Sequence, residues 1–309
     1  MKSARLCAVL TMWSIVTPCV YGWDHFGHMA VAFVAYKKLD NKTRLRVDEL
    51  LKRNPFFTGR WPAQIPAGTP DSDRGAFLFA LAATWPDDIK SEASYSNDPI
   101  TGSQSSRNTG YDDKNQHRYW HFADTPFSTT GIALPAVPTP NAQTQIATFR
   151  KVLASSSSDD LKSYDLVWLE HLIGDIHQPL HSTTRVTASH PQGDRGGNDV
   201  GFCAPSAKTC SGELHAFWDD ILGTSKNAKT VKTLADGLTV PAATAADASQ
   251  WIDDSFKLAK QKVYVDPVGA GDGPFQATSA YASAARALAK QQVALAGARL
   301  AAVLNAELK

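Results

Sequence analysis

The chain has 309 residues, with 31 Lys and Arg against 30 Asp and Glu and a formal net charge of +1. That balance, with no block of basic residues, excludes broad electrostatic capture of duplex DNA, so any phosphate binding must be local. The length suffices for one large core, and no apolar run after the first 22 residues is long enough to span a bilayer.

Residues 1–22 read as an export signal. Lys2 and Arg5 form a positive start, Leu6 to Val16 an apolar stretch, and Val20 and Gly22 the small residues of a cleavage site. Cleavage after Gly22 makes Trp23 the first residue of the mature chain and removes two cations and no acid, leaving a charge near −1. The expected product is one domain, residues 23–309, secreted or periplasmic, a monomer without stable membrane association.

The mature chain reads as mostly helical. Apolar residues at helical spacing predict helices over 27–39, 43–52 and 74–83, the last ending before Trp85-Pro86. Asn141 is read as the N-cap of a helix through Ala154, broken by the serines at 155–158. Ser163 is read as the cap of the next helix, which carries His171 and Asp175 and stops near Pro179. Helices over 213–222, 245–263 and 279–308 follow, the last with a stripe of Leu288, Leu295, Leu300 and Leu304. With no run of alternating strands and no internal repeat, the expected fold is all-α: a single mainly helical domain with long loops. Two polar segments, 91–118 and 125–140, read as loops over one face, where specificity usually resides. Cys203 and Cys210, with six residues between them, pair as a disulfide in an exported protein. The alternative, a Cys-based zinc site, would have half its ligands at best.

Chemistry concentrates in two His-x3-Asp pairs, His171/Asp175 and His215/Asp219, with His181 between them. Residues four apart share a helix face, so each pair presents an imidazole beside a carboxylate. Helical proteins build polynuclear metal sites in this way. His28, Asp87 and His121 extend the candidate set. Trp23 adds a ninth member, because a free N-terminal amine and the carbonyl of the same residue close a five-membered chelate on a metal. His177 lies off the ligand face and reads as a hydrogen-bonding residue at the helix end. His25, His117 and His190 read as exposed or loop residues.

Six motifs occur in order over about 200 residues: Trp23-x4-His28, Trp85-x-Asp87, His121-Phe122-x-Asp124, His171-x3-Asp175-x-His177-Gln-Pro-Leu-His181, Gly196-Gly197-Asn198 and His215-x3-Asp219. In these the chain resembles the trinuclear zinc-dependent single-strand nucleases and 3′-nucleotidases of the S-one/P-one type, whose fold is also that of zinc-dependent phospholipase C. The resemblance implies three Zn²⁺ ions. One is held by Asp87, His121, His171 and Asp175; one by His181, His215 and Asp219; and one by the amine and carbonyl of Trp23 with His28 and the bridging Asp175. It implies further that Asp87 orients the attacking water and that Lys90 lies near the scissile phosphate. Phe122 would stack a nucleobase, with Asp124 and Asn198 on the base edges. The implied activity is that of an endonuclease and 3′-nucleotidase, hydrolysing the phosphodiester bonds of single-stranded DNA and RNA to 5′-nucleotides and acting on 3′-mononucleotides. Residue 91 is Ser where the fungal pattern has an aromatic, residue 199 is Asp, and the 91–118 loop is expanded.

Two rival readings predict different outcomes. A zinc-dependent phospholipase C typically carries His-x3-Glu as its last pair, whereas this chain has His215-x3-Asp219. A non-catalytic exported zinc-binding protein would carry an exposed His-rich tract, whereas these ligands are dispersed over helices.

Overall fold

The computed structural model describes residues 23–308. The expected export signal, residues 1–22, lies outside the described residues.

Two helices sit at the centre because their apolar residues encircle them, and a helix without a polar face belongs inside. In α1 (His25–Lys38), every residue from Phe26 to Tyr36 is buried. In α8 (Asp159–Asp175), burial is unbroken from Lys162 to Asp175. Around them pack α2 (Asn41–Leu51), α5 (Asp71–Ala82), α7 (Ala142–Leu153), α10 (Ala228–Asp236), α11 (Ala248–Leu258) and the 29-residue α12 (Ser279–Glu307). The short α3 (Phe56–Gly59), α4 (Trp61–Gln64), α6 (Trp85–Asp88) and α9 (Leu214–Asp219) complete the helices. Helix α1 packs on α12, α10, α5 and α8. Its crossing with α12 is tight enough that a Cβ at Gly297 would lie 2.5 Å from Val34 Cγ1.

The all-α expectation holds. Asn141 caps α7 through a reciprocal pair of hydrogen bonds with Thr144. Ser163 does not cap α8: Ser158 does, accepting from Leu161 N–H, with Asp159 and Asp160 in the first turn, where carboxylates oppose the helix dipole. Ser163 is buried inside the helix, its hydroxyl 2.9 Å from that of Tyr111. The expected 245–263 helix starts later, at Ala248, and ends in a wider π turn over Ala259–Val263. Helix α10 was not expected, because only Ala228, Val231 and Ala235 are buried and the remaining residues are largely polar.

Among the described residues, strands form two parallel pairs, β1 (Thr125–Phe127) with β2 (Thr183–Arg185), and β3 (Phe202–Cys203) with β4 (Phe275–Gln276). The first pair matters for the site, since it aligns the segment after His121 with the segment after His181. Cys203 and Cys210 form the expected disulfide, with Cα atoms 5.4 Å apart.

The 91–118 segment is anchored rather than merely draped over a face. Tyr95 and Tyr111 set their edges against Trp85, which also meets Tyr164 and Trp168, all at centroid distances of 5.6–6.1 Å. Ser96 bridges Asn115, and the Trp120 indole donates to Ser105 O at 2.9 Å. No helix among the described residues is long and apolar enough to cross a membrane.

Candidate metal centre

Four stretches of chain converge on one buried cluster. The first turn of α1 brings His28, and α6 brings Asp87 behind a proline at its start. The last turn of α8 brings His171 and Asp175. A 3-10 turn over Arg118–His121 ends in His121. Beside this cluster, a 3-10 turn opened by Pro179 carries His181, and α9 carries His215 and Asp219. Of these eight side chains, only Asp219 is more than 1% exposed, at 5%. They fall into three groups able to hold an ion: His28 with Asp87 and His171; His121 with His171 and Asp175; and His181 with His215 and Asp219.

Asp175 joins the first two groups. Its Oδ1 lies 3.4 Å from His28 Nε2, and its Oδ2 lies 3.0 Å from His121 Nδ1 and 3.3 Å from His171 Nε2. His28 stacks on His171 with ring centroids 3.7 Å apart. This proximity requires Gly174, where a Cβ would stand 2.9 Å from His28 Nδ1.

The donor set fits cations. Three imidazoles have Nδ1 within donating distance of a backbone carbonyl: His171 to Ala83 O at 2.8 Å, His181 to His121 O at 2.8 Å and His215 to Gly196 O at 2.7 Å. Each bond fixes the proton on Nδ1 and leaves a lone pair on Nε2. The Nε2 atoms of His181 and His215 then face each other at 3.1 Å, and His171 Nε2 lies 2.9 Å from His121 Nδ1. Facing lone pairs repel unless they share a positive ion, and two nitrogens on one tetrahedral zinc sit about 3.3 Å apart. Further, Asp87 Oδ2, Asp175 Oδ1, His121 Nε2 and both His28 nitrogens are buried and make no hydrogen bond, a costly state without an ion.

Electrostatics agree with that reading. Burial holds His121, His171 and His181 well below the usual imidazole range, so they stay neutral. It also raises the Asp175 carboxyl to about 6 and Asp219 well above its usual value. Asp87 differs. Burial would raise it, but the Lys90 ammonium outweighs that effect and holds it below the carboxylate range. Lys90 donates from Nζ to Asp87 Oδ1 at 2.7 Å.

A family model described as S1/P1 Nuclease matches residues 23–309. The chain belongs to this family. Endonuclease 2 of Arabidopsis thaliana is 24% identical over 252 residues, covering 79% of this chain and 71% of that protein. Endonuclease 3 of the same plant is 26% identical over 224 residues, covering 69% of this chain and 61%, less than two thirds, of its own length. The S1/P1 nucleases are metal-dependent and act on nucleic acid, which agrees with the His/Asp groups seen here.

The other residues expected from the S1/P1 pattern lie around this cluster. Phe122 is half-buried and stacks on His181, with centroids 4.5 Å apart and planes 20° from parallel. Asp124 is half-buried with φ of 44°, and desolvation, then the charge of Asp194, pushes its carboxyl up to about 7. Asn198 uses its amide to donate to Arg195 O at 2.6 Å, closing the turn that contains Gly196 and Gly197. Trp23 is fully buried. Its side chain lies over Gly27, where a Cβ would come within 2.5 Å of Trp23 Cβ.

Several residues that set this geometry were given no role by the sequence, although Gln178 and Gly196 lie within its motifs. Gln178 donates to Asp219 Oδ1 at 2.7 Å and accepts from Leu180 N–H at 2.6 Å. Gly196 has φ of 62°, and a Cβ there would meet Leu180 O at 2.4 Å, so only glycine presents this carbonyl to His215 without strain. Asp194 holds the same turn, accepting from the Gly197 and Arg185 N–H groups and the Tyr264 hydroxyl.

Two histidines depart from expectation. His117 is fully buried, with Nδ1 2.9 Å from Asp98 and Nε2 3.0 Å from Asp113. His25 is in the first turn of α1 and mostly covered, bonding Asp24 and Asp88. His177 behaves as expected, with Nδ1 on Ile173 O and Nε2 facing Arg299.

Proposed function

We propose that this protein is an exported zinc-dependent endonuclease and 3′-nucleotidase that hydrolyses single-stranded DNA and RNA to 5′-nucleotides. Zinc is the ion whose preferences match imidazole and carboxylate donors at four-coordinate sites. The reading takes three ions, the third to be held by His28, Asp175 and the amine and carbonyl of Trp23 once residues 1–22 are removed. The observation that carries the reading is Phe122 layered on His181. A planar ring thus lies directly beside donors whose bound zinc would attract phosphate.

Bound zinc supplies Lewis acidity and a water whose pKa falls from 15.7 toward ~7. The chain's own residues supply the rest. Asp87, kept ionised by Lys90, would orient the attacking water, and Lys90 would serve a phosphate oxygen bound beside it. Phe122 stacks an unpaired base, a contact worth about 1–3 kcal/mol that tolerates any sequence. Asp124 and Asn198 face the base edges. Because stacking needs a splayed base, single strands are preferred to duplexes.

The test uses mature protein assayed side by side on single-stranded DNA, duplex DNA, a 3′-mononucleotide and phosphatidylcholine, before and after chelation and zinc return. We expect zinc-restored cleavage of the first and third substrates, with little duplex cleavage. Hydrolysis of the lipid alone would overturn the reading in favour of a phospholipase. Zinc binding without hydrolysis of any substrate would leave a zinc-binding protein.

A further inference from the structure

The start of the described chain is fastened at several points by contacts other than metal ligation. Asp24 caps α1, its Oδ1 accepting from His25 N–H at 2.7 Å. Its own N–H reaches Asp219 O at 3.4 Å, on the helix that carries the His215/Asp219 pair. His25 then spans outward. Nδ1 lies 3.2 Å from Asp24 Oδ1, and Nε2 lies 3.1 Å from Asp88 Oδ1, 63 residues away and next to Asp87. Asp88 is itself held, with Thr84 Oγ1 donating to Oδ2 at 3.2 Å and Arg60 3.7 Å from Oδ1. One imidazole therefore ties the residue after Asp24 to the short helix that presents Asp87. Residues 23–25 are thus tied to both α6 and α9, with Trp23 buried over Gly27.

We infer that His25 is a positioning residue for the third metal: it latches the mature N-terminus onto α6 through Asp88, so that the Trp23 amine and carbonyl are delivered to His28 and Asp175. This inference rests on the three-zinc reading above. A terminal residue ordinarily frays, and a chelate built on it loses affinity with every alternative conformation the terminus visits. The latch removes those conformations without touching the ion.

Two substitutions separate the latch from local capping. A glutamine amide nitrogen reaches about as far from the backbone as imidazole Nε2, whereas asparagine reaches only as far as Nδ1. H25Q therefore keeps the Asp88 contact and H25N keeps only the Asp24 contact. Mature wild type, H25A, H25N, H25Q, D88A and H25N/D88A would be dialysed against graded free zinc. Bound zinc per chain would then be counted by native mass spectrometry, with helix content followed by circular dichroism.

We expect wild type and H25Q to hold three ions. H25A and H25N should hold the third at least about tenfold more weakly, the range found when a group supporting a metal ligand is lost. D88A should weaken it to a similar degree, and the double variant no further than D88A alone, since both changes break one contact. Equal third-ion affinity in H25N and wild type overturns the latch, as does an H25N defect that adds fully to that of D88A. If H25A fails to fold, H25N against H25Q decides the same question. A wild type that binds only two ions overturns the three-zinc reading instead, whatever the variants do.

Discussion

At the metal centre, His171, His181 and His215 each give one ring nitrogen to a backbone carbonyl and turn the other toward a second imidazole. His117, also fully buried, gives both ring nitrogens to carboxylates, Asp98 and Asp113, and lies flat on Trp120 with centroids 3.6 Å apart. The residue types are the same, but the electrostatics are opposite. Burial drives the imidazoles of the centre toward neutrality. Burial acts in the same direction on His117, yet Asp113 and Asp98 outweigh it and raise its pKa. The partner of the second nitrogen thus separates a metal donor from a charged structural hub: a carbonyl leaves a lone pair to offer, whereas two carboxylates call for a cation in the ring itself.

The largest effect that could break this contrast is at Asp175, whose two oxygens face different histidines. D175N keeps the shape and removes the charge. We expect bound zinc to drop and single-strand cleavage to fall by more than the ~10–100-fold typical of losing an outer supporting group. Zinc content equal to wild type would mean that the cluster is an ordinary buried network. Next is Lys90, the cation bonded to Asp87. K90A should lower turnover by about 10²–10³-fold, the loss seen when one preorganised donor to developing charge is removed, with metal content unchanged. Full activity in K90A would reduce Lys90 to a partner that only neutralises Asp87.

Gly196 sharpens the carbonyl half of the comparison. G196A places a methyl 2.4 Å from Leu180 O and keeps a residue at φ of 62°. The strain should cost about 1–3 kcal/mol of stability and weaken zinc at the His181/His215 group. Weaker folding with unaltered zinc affinity would detach the carbonyl from the ligand's role. The smallest and most conditional effect concerns His117. Its backbone φ is 44°, which asparagine tolerates, so H117N removes the charge with little backbone cost. Because the folded-state pKa is raised, its contribution is complete below the unfolded value of about 6.5 and fades as pH rises through the folded one. The denaturation gap between wild type and H117N should therefore be widest in mild acid, about 1–3 kcal/mol, and close toward alkaline pH. A gap independent of pH would show a neutral ring acting by packing alone.

The eight side-chain members of the centre were legible because their spacing encodes geometry. His171 and Asp175, like His215 and Asp219, share a face once the helix forms, and Pro179 fixes where the chain turns to present His181. Their orienting partners were not legible. Ala83 O, His121 O and Gly196 O are backbone carbonyls, which every residue has, and nothing in a side chain announces which carbonyl will face an imidazole. His117, expected to be exposed or in a loop, does lie in a loop, but its burial was not legible for a related reason. The polar 91–118 segment has no helical period, and its burial comes from Trp85 and Trp120, which flank it, and from Trp168, distant in sequence on α8. Ser158 and Ser163 were equally good caps by residue type, and only the packing of Tyr111 and its neighbours put Ser163 inside.

The sequence by itself determined which atoms are available: neutral-range imidazoles and carboxylates at helical spacing, a near-neutral chain unable to hold duplex DNA by charge alone, and the motif order of an S1/P1 nuclease. Tertiary structure decided which lone pairs face each other. That depends on distances between segments 50 or more residues apart, such as His121 and His171 at 2.9 Å, and on burial, which fixes protonation only after the core has closed around the site.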